Sequence, residues 1–201
     1  MLILSSFCLA PVEYYREINI HRNVIIERND NYVKQTYRNR YVIAAANGLQ
    51  TLTVPVVKPG SPKCLTKDIR VAEHGNWRHI HWNSIISAYS STPFFEYYAD
   101  DFHPFYEKKY NFLFDFNEEL RETVCMLLDI SPQITYSHSF IEKYNSEITD
   151  LREMINPKRT IDAANFPLYY QNFAEQYGFQ PNLSIIDLLF NTGNESILYL
   201  R

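Results

Sequence analysis

The chain has 201 residues, of which 46% are apolar and 21% charged, and its formal net charge is −4. This length and composition fit one folded domain over residues 1–201 and exclude a disordered chain. The negative charge argues against general nucleic-acid binding, which requires a basic surface. No long apolar run indicates a membrane span, and three cysteines without paired spacing are typical of a reducing compartment. We therefore expect a cytoplasmic protein.

The amino-terminal residues predict a βαβ unit. Residues 1–5 form an apolar run typical of a buried strand, and Pro11 stands where a helix over residues 12–20 would begin. A second β-branched run follows at residues 23–27. This order indicates an α/β fold, a single domain with a mixed sheet covered by helices, with α+β as the alternative.

A β-hairpin is predicted at about residues 38–56. Asn47 and Gly48 separate two β-rich runs, and an Asn-Gly pair between such runs is a strong hairpin signal. Pro55 favours an edge position for the second strand. A further short strand is expected at residues 68–72.

Helices dominate the rest of the predicted structure. Asn76 is expected to cap a helix over residues 77–89, and Pro93 is expected to begin the next one. Two capping boxes are predicted, Asp115 with Glu118 and Ser184 with Asp187. The helix after Ser184 is apolar nearly all round, which predicts a central position in the core. Residues 131–165 carry no clear pattern.

Residues 31–67 contain no Asp or Glu, although about four would be expected from the chain's average. The local net charge is +6, so the remaining residues carry −4 − 6 = −10. This concentration of positive charge indicates a local function rather than a general composition. Its cations are Lys34, Arg38, Arg40, Lys58, Lys63 and Lys67.

Within this segment, residues 34–40 alternate Lys, Thr and Arg with Gln, Tyr and Asn. If they are extended, Lys34, Arg38 and Arg40 share one face, while Tyr37 and Asn39 lie on the other. Arginine matches phosphate and carboxylate geometry, so we predict ligand binding by these five residues. The alternatives are a solvated, cationic edge strand or arginines paired with acids elsewhere in the chain.

Other chemistry is weakly supported by the residues. His81 shares the predicted inner helix face with Trp77 and is the candidate proton-transfer residue, although a core histidine is the more common role. His79 and His81 lack the i, i+4 spacing of helical zinc ligands, so no metal site is predicted. Cys8 follows the first strand and gives a weaker hypothesis, a cysteine enzyme. Glycine-rich phosphate motifs are absent, and the sequence leaves the identity of any cofactor unknown.

Four segments in this order resemble the WbqC-like family of bacterial proteins. They are YRNRYVIAAANGLQTLTVPV, NWRHIHWNSIISAY, TPFFEYY and YYQNFAEQYGFQPNLSIIDLLFNTG. The resemblance covers most of the chain except residues 131–165. It implies an association with O-antigen and other surface-polysaccharide gene clusters. That in turn implies acyl or aminoacyl transfer to a nucleotide-linked sugar, so the expected partner is a nucleotide-sugar or another phosphorylated small molecule.

The resemblance also defines a second hypothesis. Family members typically open with a His-Gln-Pro stretch, whereas residues 5–15 here read SSFCLAPVEYY, without that histidine. The chain is therefore either a transferase that uses Arg38, Arg40 and His81, or a non-catalytic binding member of the family.

Overall fold

The computed structural model describes residues 1–61 and 63–201. Its strands are β1 (Leu2–Ser5), β2 (Asn23–Glu27), β3 (Arg40–Ala45), β4 (Gly48–Thr53), β5 (Gln133–Tyr136) and β6 (Thr149–Asp150). They form a four-stranded parallel sheet in the order β5-β2-β1-β6 and a separate antiparallel hairpin, β3-β4. The helices are α1 (Val12–His21), α2 (Trp77–Tyr89), α3 (Phe95–Phe102), α4 (Pro104–Glu107), α5 (Leu113–Leu127), α6 (Ala174–Tyr177) and α7 (Ile185–Thr192).

The predicted α/β class and the βαβ opening are confirmed. β1 and β2 pair in parallel with α1 between them, and Leu2, Ile3 and Leu4 are fully buried. A parallel strand covered on both faces requires a continuous apolar run, and β1 has one. The parallel strands and the antiparallel strands lie in two separate sheets. Strands β5 and β6 both come from residues 131–165, where the sequence carries no clear pattern.

The hairpin is also confirmed, with Ala45 paired to Gly48 across the turn. Gly48 has a φ of 101°, while Asn47 keeps a negative φ. A type I′ turn would need positive φ at both central residues, and Asn47 does not have it. The positive φ falls on Gly48 instead, the first residue after the turn. The strand predicted at residues 68–72 is wrong: a 3₁₀ turn (Thr66–Asp68) and isolated bridges occupy this region.

Both predicted capping boxes are wrong, because their acidic side chains are used in the core. α5 begins at Leu113, so Asp115 lies inside its first turn, and Glu118 instead accepts a hydrogen bond from Ser6 Oγ at 2.8 Å. Ser184 lies at the start of α7, but its hydroxyl donates to the Leu9 carbonyl at 2.8 Å. Asn76 likewise makes no side-chain cap on α2, and α3 begins at Phe95, two residues after Pro93.

α7 is the centre of the core, as its apolar sequence predicts, and every residue from Ile185 to Thr192 is buried. Gly193 ends this helix at a φ of 57°, and a Cβ added there would lie 2.5 Å from the Phe94 ring. Glycine is therefore required both by its backbone conformation and by close packing.

We expect Gly193→Ala to lower the free energy of unfolding by about 1–3 kcal/mol, because it combines left-handed strain with overpacking. Chemical denaturation measures this change. Gly60→Ala is the matched control, since its added Cβ meets nothing within 4 Å. Equal stability of the two variants would contradict the close packing of Gly193 against Phe94.

Candidate functional site

The loop after β2 carries Lys34, Tyr37, Arg38 and Asn39 at the carboxyl edge of the parallel sheet, where ligands commonly bind in α/β folds. This loop is held against residues 64–67 by backbone hydrogen bonds. The Tyr32 N–H donates to the Cys64 carbonyl at 2.9 Å, and the Thr66 N–H donates to the Asp30 carbonyl at 2.9 Å. Two segments of the acid-free region therefore meet over the end of β2.

A cavity of about 450 Å³ opens between these two segments. Lys34 and Lys58 line it together with Tyr32 and Cys64, and none of its described lining residues is acidic. Both lysines are exposed, and neither makes an ion pair with any residue that the structure describes. We call this space, bounded by Tyr32, Lys34, Lys58, Pro59, Gly60, Ser61 and Cys64, the basic cavity.

The Arg40 cation acts electrostatically on Tyr32, one of the residues that line the basic cavity. Burial raises the pKa of the Tyr32 phenol to about 12, while the Arg40 and Arg38 cations lower it. Tyr32 therefore keeps its proton at neutral pH and can donate a hydrogen bond to an anion. The Nε of Arg40 is buried and has no hydrogen-bond partner among the described residues. A buried guanidinium nitrogen without a partner gains by meeting an oxygen ligand.

Arg38 makes its contacts with other residues of the protein. Its side chain is 1% exposed and forms an ion pair with Asp30 at 2.5 Å, and the same nitrogen donates to Ser5 Oγ at 2.9 Å. Its carbonyl accepts a hydrogen bond from the Asn117 amide at 2.8 Å. Arg38 thus joins the end of β1 to the loop after β2, and its charge is neutralised locally.

The extended conformation considered for residues 34–40 is wrong, because the chain turns repeatedly there. Gln35 has a φ of 61°, and residues 36–39 are all buried. Tyr37 packs against Phe7, and Asn39 donates its amide to the Val54 carbonyl at 2.9 Å. Of the five predicted ligand-binding residues, Lys34 lines the cavity and the Arg40 cation acts on the lining residue Tyr32. Tyr37, Arg38 and Asn39 support the loop from within.

His81 lies in an aromatic cluster away from the basic cavity's lining. Its side chain is 3% exposed, its Nδ1 is 3.1 Å from the Tyr41 hydroxyl, and its ring meets Trp77 edge-on at 5.1 Å. Burial lowers the pKa of His81 to about 4, so the imidazole is neutral at pH 7. The structure does not bring His81 together with the cations.

Cys8 is fully buried, and burial raises the pKa of its thiol far above the usual range.

Sequence reasoning did not identify Tyr32 or Cys64 as site residues. It also missed a buried polar network at the same carboxyl edge. Glu27 at the end of β2 accepts a hydrogen bond from Ser137 Oγ, and Arg152 bridges Glu27 at 3.3 Å and Asp150 at 2.6 Å. The only available signal was that polar residues follow each apolar strand, and the short strands β5 and β6 gave no clear pattern.

A second buried polar cluster surrounds Asp187. Its carboxylate accepts hydrogen bonds from the Tyr89 hydroxyl at 2.9 Å, the Tyr169 hydroxyl at 2.6 Å and the Gln171 amide at 3.0 Å. Burial raises the pKa of Asp187 to about 6, although these hydrogen bonds oppose the shift. The cluster fixes α7 to the segment around residue 170.

Two further properties bear on the class of protein. None of the helices described for residues 1–61 and 63–201 is both long and apolar enough to cross a membrane. In the same residues, no group of three or more His, Cys, Asp or Glu side chains is arranged to hold a metal ion.

The fold and the site together define an α/β protein with a cation-lined cavity at the carboxyl edge of a parallel sheet. The chain belongs to the WbqC-like protein family, whose family model matches residues 9–199. It is 26% identical over 212 aligned residues to "Uncharacterized protein Rv1507c" of Mycobacterium tuberculosis (strain H37Rv), covering 94% of this chain and 91% of that protein. No solved structure matches the chain.

Proposed function

We propose that this protein binds a phosphorylated small molecule in the basic cavity, as a substrate of a transfer reaction. The family resemblance suggests acyl or aminoacyl transfer in surface-polysaccharide biosynthesis, with a nucleotide-linked sugar as one substrate. A cytoplasmic location is part of the proposal, because such sugars are activated there. It is supported by Cys8, Cys64 and Cys125, which are all free thiols, as expected in a reducing compartment.

One observation carries the proposal: Lys34 and Lys58, which form no ion pair with any described residue, line a cavity whose described lining contains no carboxylate, and the Arg40 cation lowers the pKa of the lining residue Tyr32. Lys34 and Lys58 supply mobile ammonium groups, and Arg40 supplies a buried Nε without a partner. Hydrogen bonds between cations and phosphate are about twice as strong as neutral ones, so this set favours a phosphate over a neutral ligand.

The second candidate is a non-catalytic binding protein of the same family. The described lining of the basic cavity contains neither a histidine nor a carboxylate, the groups that most often transfer protons near pH 7. His81 is buried and neutral, and the family's amino-terminal histidine is missing. Ligand binding without turnover of any acyl donor and sugar pair would favour this candidate.

We expect Lys34→Ala combined with Lys58→Ala to weaken phosphorylated ligands by about tenfold or more, because each lysine contributes a charge-assisted hydrogen bond. Isothermal titration with nucleotides, nucleotide-sugars, sugar phosphates and acyl donors measures the change. Arg40→Gln should act in the same direction, since it removes the nearby cation and keeps an amide donor.

Lys143→Ala combined with Lys158→Ala is the matched control, because it removes the same charge from two exposed positions outside the cavity. Cys64 gives an independent readout, since it lines the cavity and is half-buried while Cys8 and Cys125 are buried. A bound ligand should slow its alkylation by iodoacetamide. If both double variants lose equal affinity, or no phosphorylated ligand protects Cys64, the basic cavity is not the binding site.

A further inference from the structure

The outward face of the β3-β4 hairpin begins at the Arg40–Thr53 pair, and Lys58 of the basic cavity follows Thr53 by five residues. Residues directly opposite in an antiparallel pair share a face, so the pairs Arg40–Thr53, Val42–Thr51 and Ala44–Leu49 lie on one side. On β4, Leu49, Thr51 and Thr53 are exposed, whereas Leu52 on the other face is buried. On β3, Arg40 and Val42 are partly exposed and Ala44 is buried, so the face is open mainly along β4; we call this face, from the Arg40–Thr53 pair to the Ala44–Leu49 pair, the strip.

At its turn end the strip reaches an apolar pocket of about 230 Å³. Ala44 and Leu49 form one wall, Phe173 and Tyr177 form another, and none of the pocket's described lining residues is charged. The Tyr177 hydroxyl donates to the Ala46 carbonyl at 2.7 Å, which fixes the second wall to the hairpin turn. The pocket is smaller than the roughly 300–1,000 Å³ of sites for drug-sized ligands, so it fits a short apolar group.

The spacing between the two ends follows from strand geometry. Arg40 and Ala44 are four residues apart on β3, and a strand rises about 3.3 Å per residue, so their Cα atoms are about 13 Å apart. Thr51 and Thr53 place hydroxyl groups along this distance. In the part of the chain that the structure describes, β4 pairs with β3 alone, and no other strand of the fold pairs with its second edge.

We propose that this strip binds an acyl thioester of a phosphopantetheine, with its phosphates at the basic cavity and its acyl group in the apolar pocket. The inference rests on the proposed function and names the phosphorylated substrate as the acyl donor. A phosphopantetheine joins an anion to an apolar end through an extended arm that contains amides. Along the strip the cations come first, for the phosphates. The threonine hydroxyls and the unpaired edge of β4 follow, for the amides, and the apolar pocket comes last, for the acyl group.

Titration of coenzyme A and its acetyl, butyryl and hexanoyl thioesters into the whole protein tests the proposal. We expect the butyryl thioester to bind at least tenfold more tightly than coenzyme A, since each buried methylene contributes up to about fourfold. Leu49→Asp should remove this gain, so that the butyryl thioester and coenzyme A bind this variant with similar affinities. Leu198→Asp is the control, because Leu198 is also half exposed, at 50%, and lies outside the pocket. Ala44→Leu, which fills the pocket, should act like Leu49→Asp.

Each other outcome has a separate meaning. If coenzyme A binds without any gain from the acyl group, or if Leu198→Asp removes the gain as well, the acyl-donor inference is overturned and the basic cavity remains. The same holds if nucleotide-sugars bind and coenzyme A does not. If no phosphorylated compound binds or protects Cys64 from alkylation, the proposed function fails together with the inference.

Discussion

Replacing Arg38 with methionine is expected to lower the free energy of unfolding by about 3–5 kcal/mol, because the change leaves the Asp30 carboxylate buried without its cation. Arg38 is 1% exposed and Asp30 6% exposed, so water cannot replace the lost partner. Ser5 and Thr36 also lose contacts with the guanidinium. Urea denaturation followed by circular dichroism measures the loss.

The double variant Arg38→Met with Asp30→Leu separates the charge effect from packing. Replacing both members of a buried ion pair by apolar residues is often nearly neutral, so the double variant should be more stable than Arg38→Met alone. A double variant that is as unstable as the single one would show that the ion pair is not the cause. A loss of ligand binding in Arg38 variants would therefore report damage to the fold, and Lys34, Lys58 and Arg40 are the appropriate positions for binding tests.

The second large effect concerns pH, because His81 and Asp187 titrate in the same range with opposite consequences. The pKa of His81 falls from 6.5 to about 4 on folding, so its contribution to stability is complete above pH 6.5 and is lost as pH falls towards 4. The pKa of Asp187 rises from 3.8 to about 6, so its contribution is complete below pH 3.8 and is lost as pH rises through 6. Each shift corresponds to roughly 3 kcal/mol.

These two contributions offset each other in the natural protein between pH 4 and 6. In His81→Gln the Asp187 titration remains alone, so the free energy of unfolding, relative to the natural protein, should decrease by roughly 3 kcal/mol from pH 4 to 6.5. In Asp187→Asn it should increase by a similar amount. Denaturation curves at several pH values measure how the free energy of unfolding of each variant changes with pH. For the variant with both changes, the difference from the natural protein should be nearly independent of pH. Parallel profiles for all four proteins would contradict these pKa shifts.

Local signals in the sequence were sufficient for much of the fold. The apolar run of β1, the Asn47-Gly48 turn and the apolar face of α2 each predict an element from adjacent residues, and all three form. The capping boxes failed because Ser184, Asp187 and Glu118 have partners far away in sequence. A side chain with a stronger tertiary partner leaves its local one, and residue spacing alone does not reveal this competition.

The candidate site was predictable only in its charge. The acid-free residues 31–67 supply every described lining residue of the basic cavity. Which of the cations are neutralised within the protein depends on contacts between residues that are distant in sequence. Asp30 neutralises Arg38, whereas no acid among the described residues reaches Lys34 or Lys58. Tyr32 became a lining residue because its backbone pairs with Cys64, and no sequence pattern indicates that pairing.

The sheet order has a consequence for how the chain folds. β6 pairs with β1 through Leu2 and Thr149, residues separated by most of the chain, whereas β2 joins β1 through one short helix. Closing so long a loop is entropically expensive, and non-local parallel pairing is slow. Because β1 and β2 lie near the amino terminus, they are synthesised well before β6, the strand that pairs with the other edge of β1. The Arg152 network at the carboxyl edge therefore forms only after most of the chain has been made.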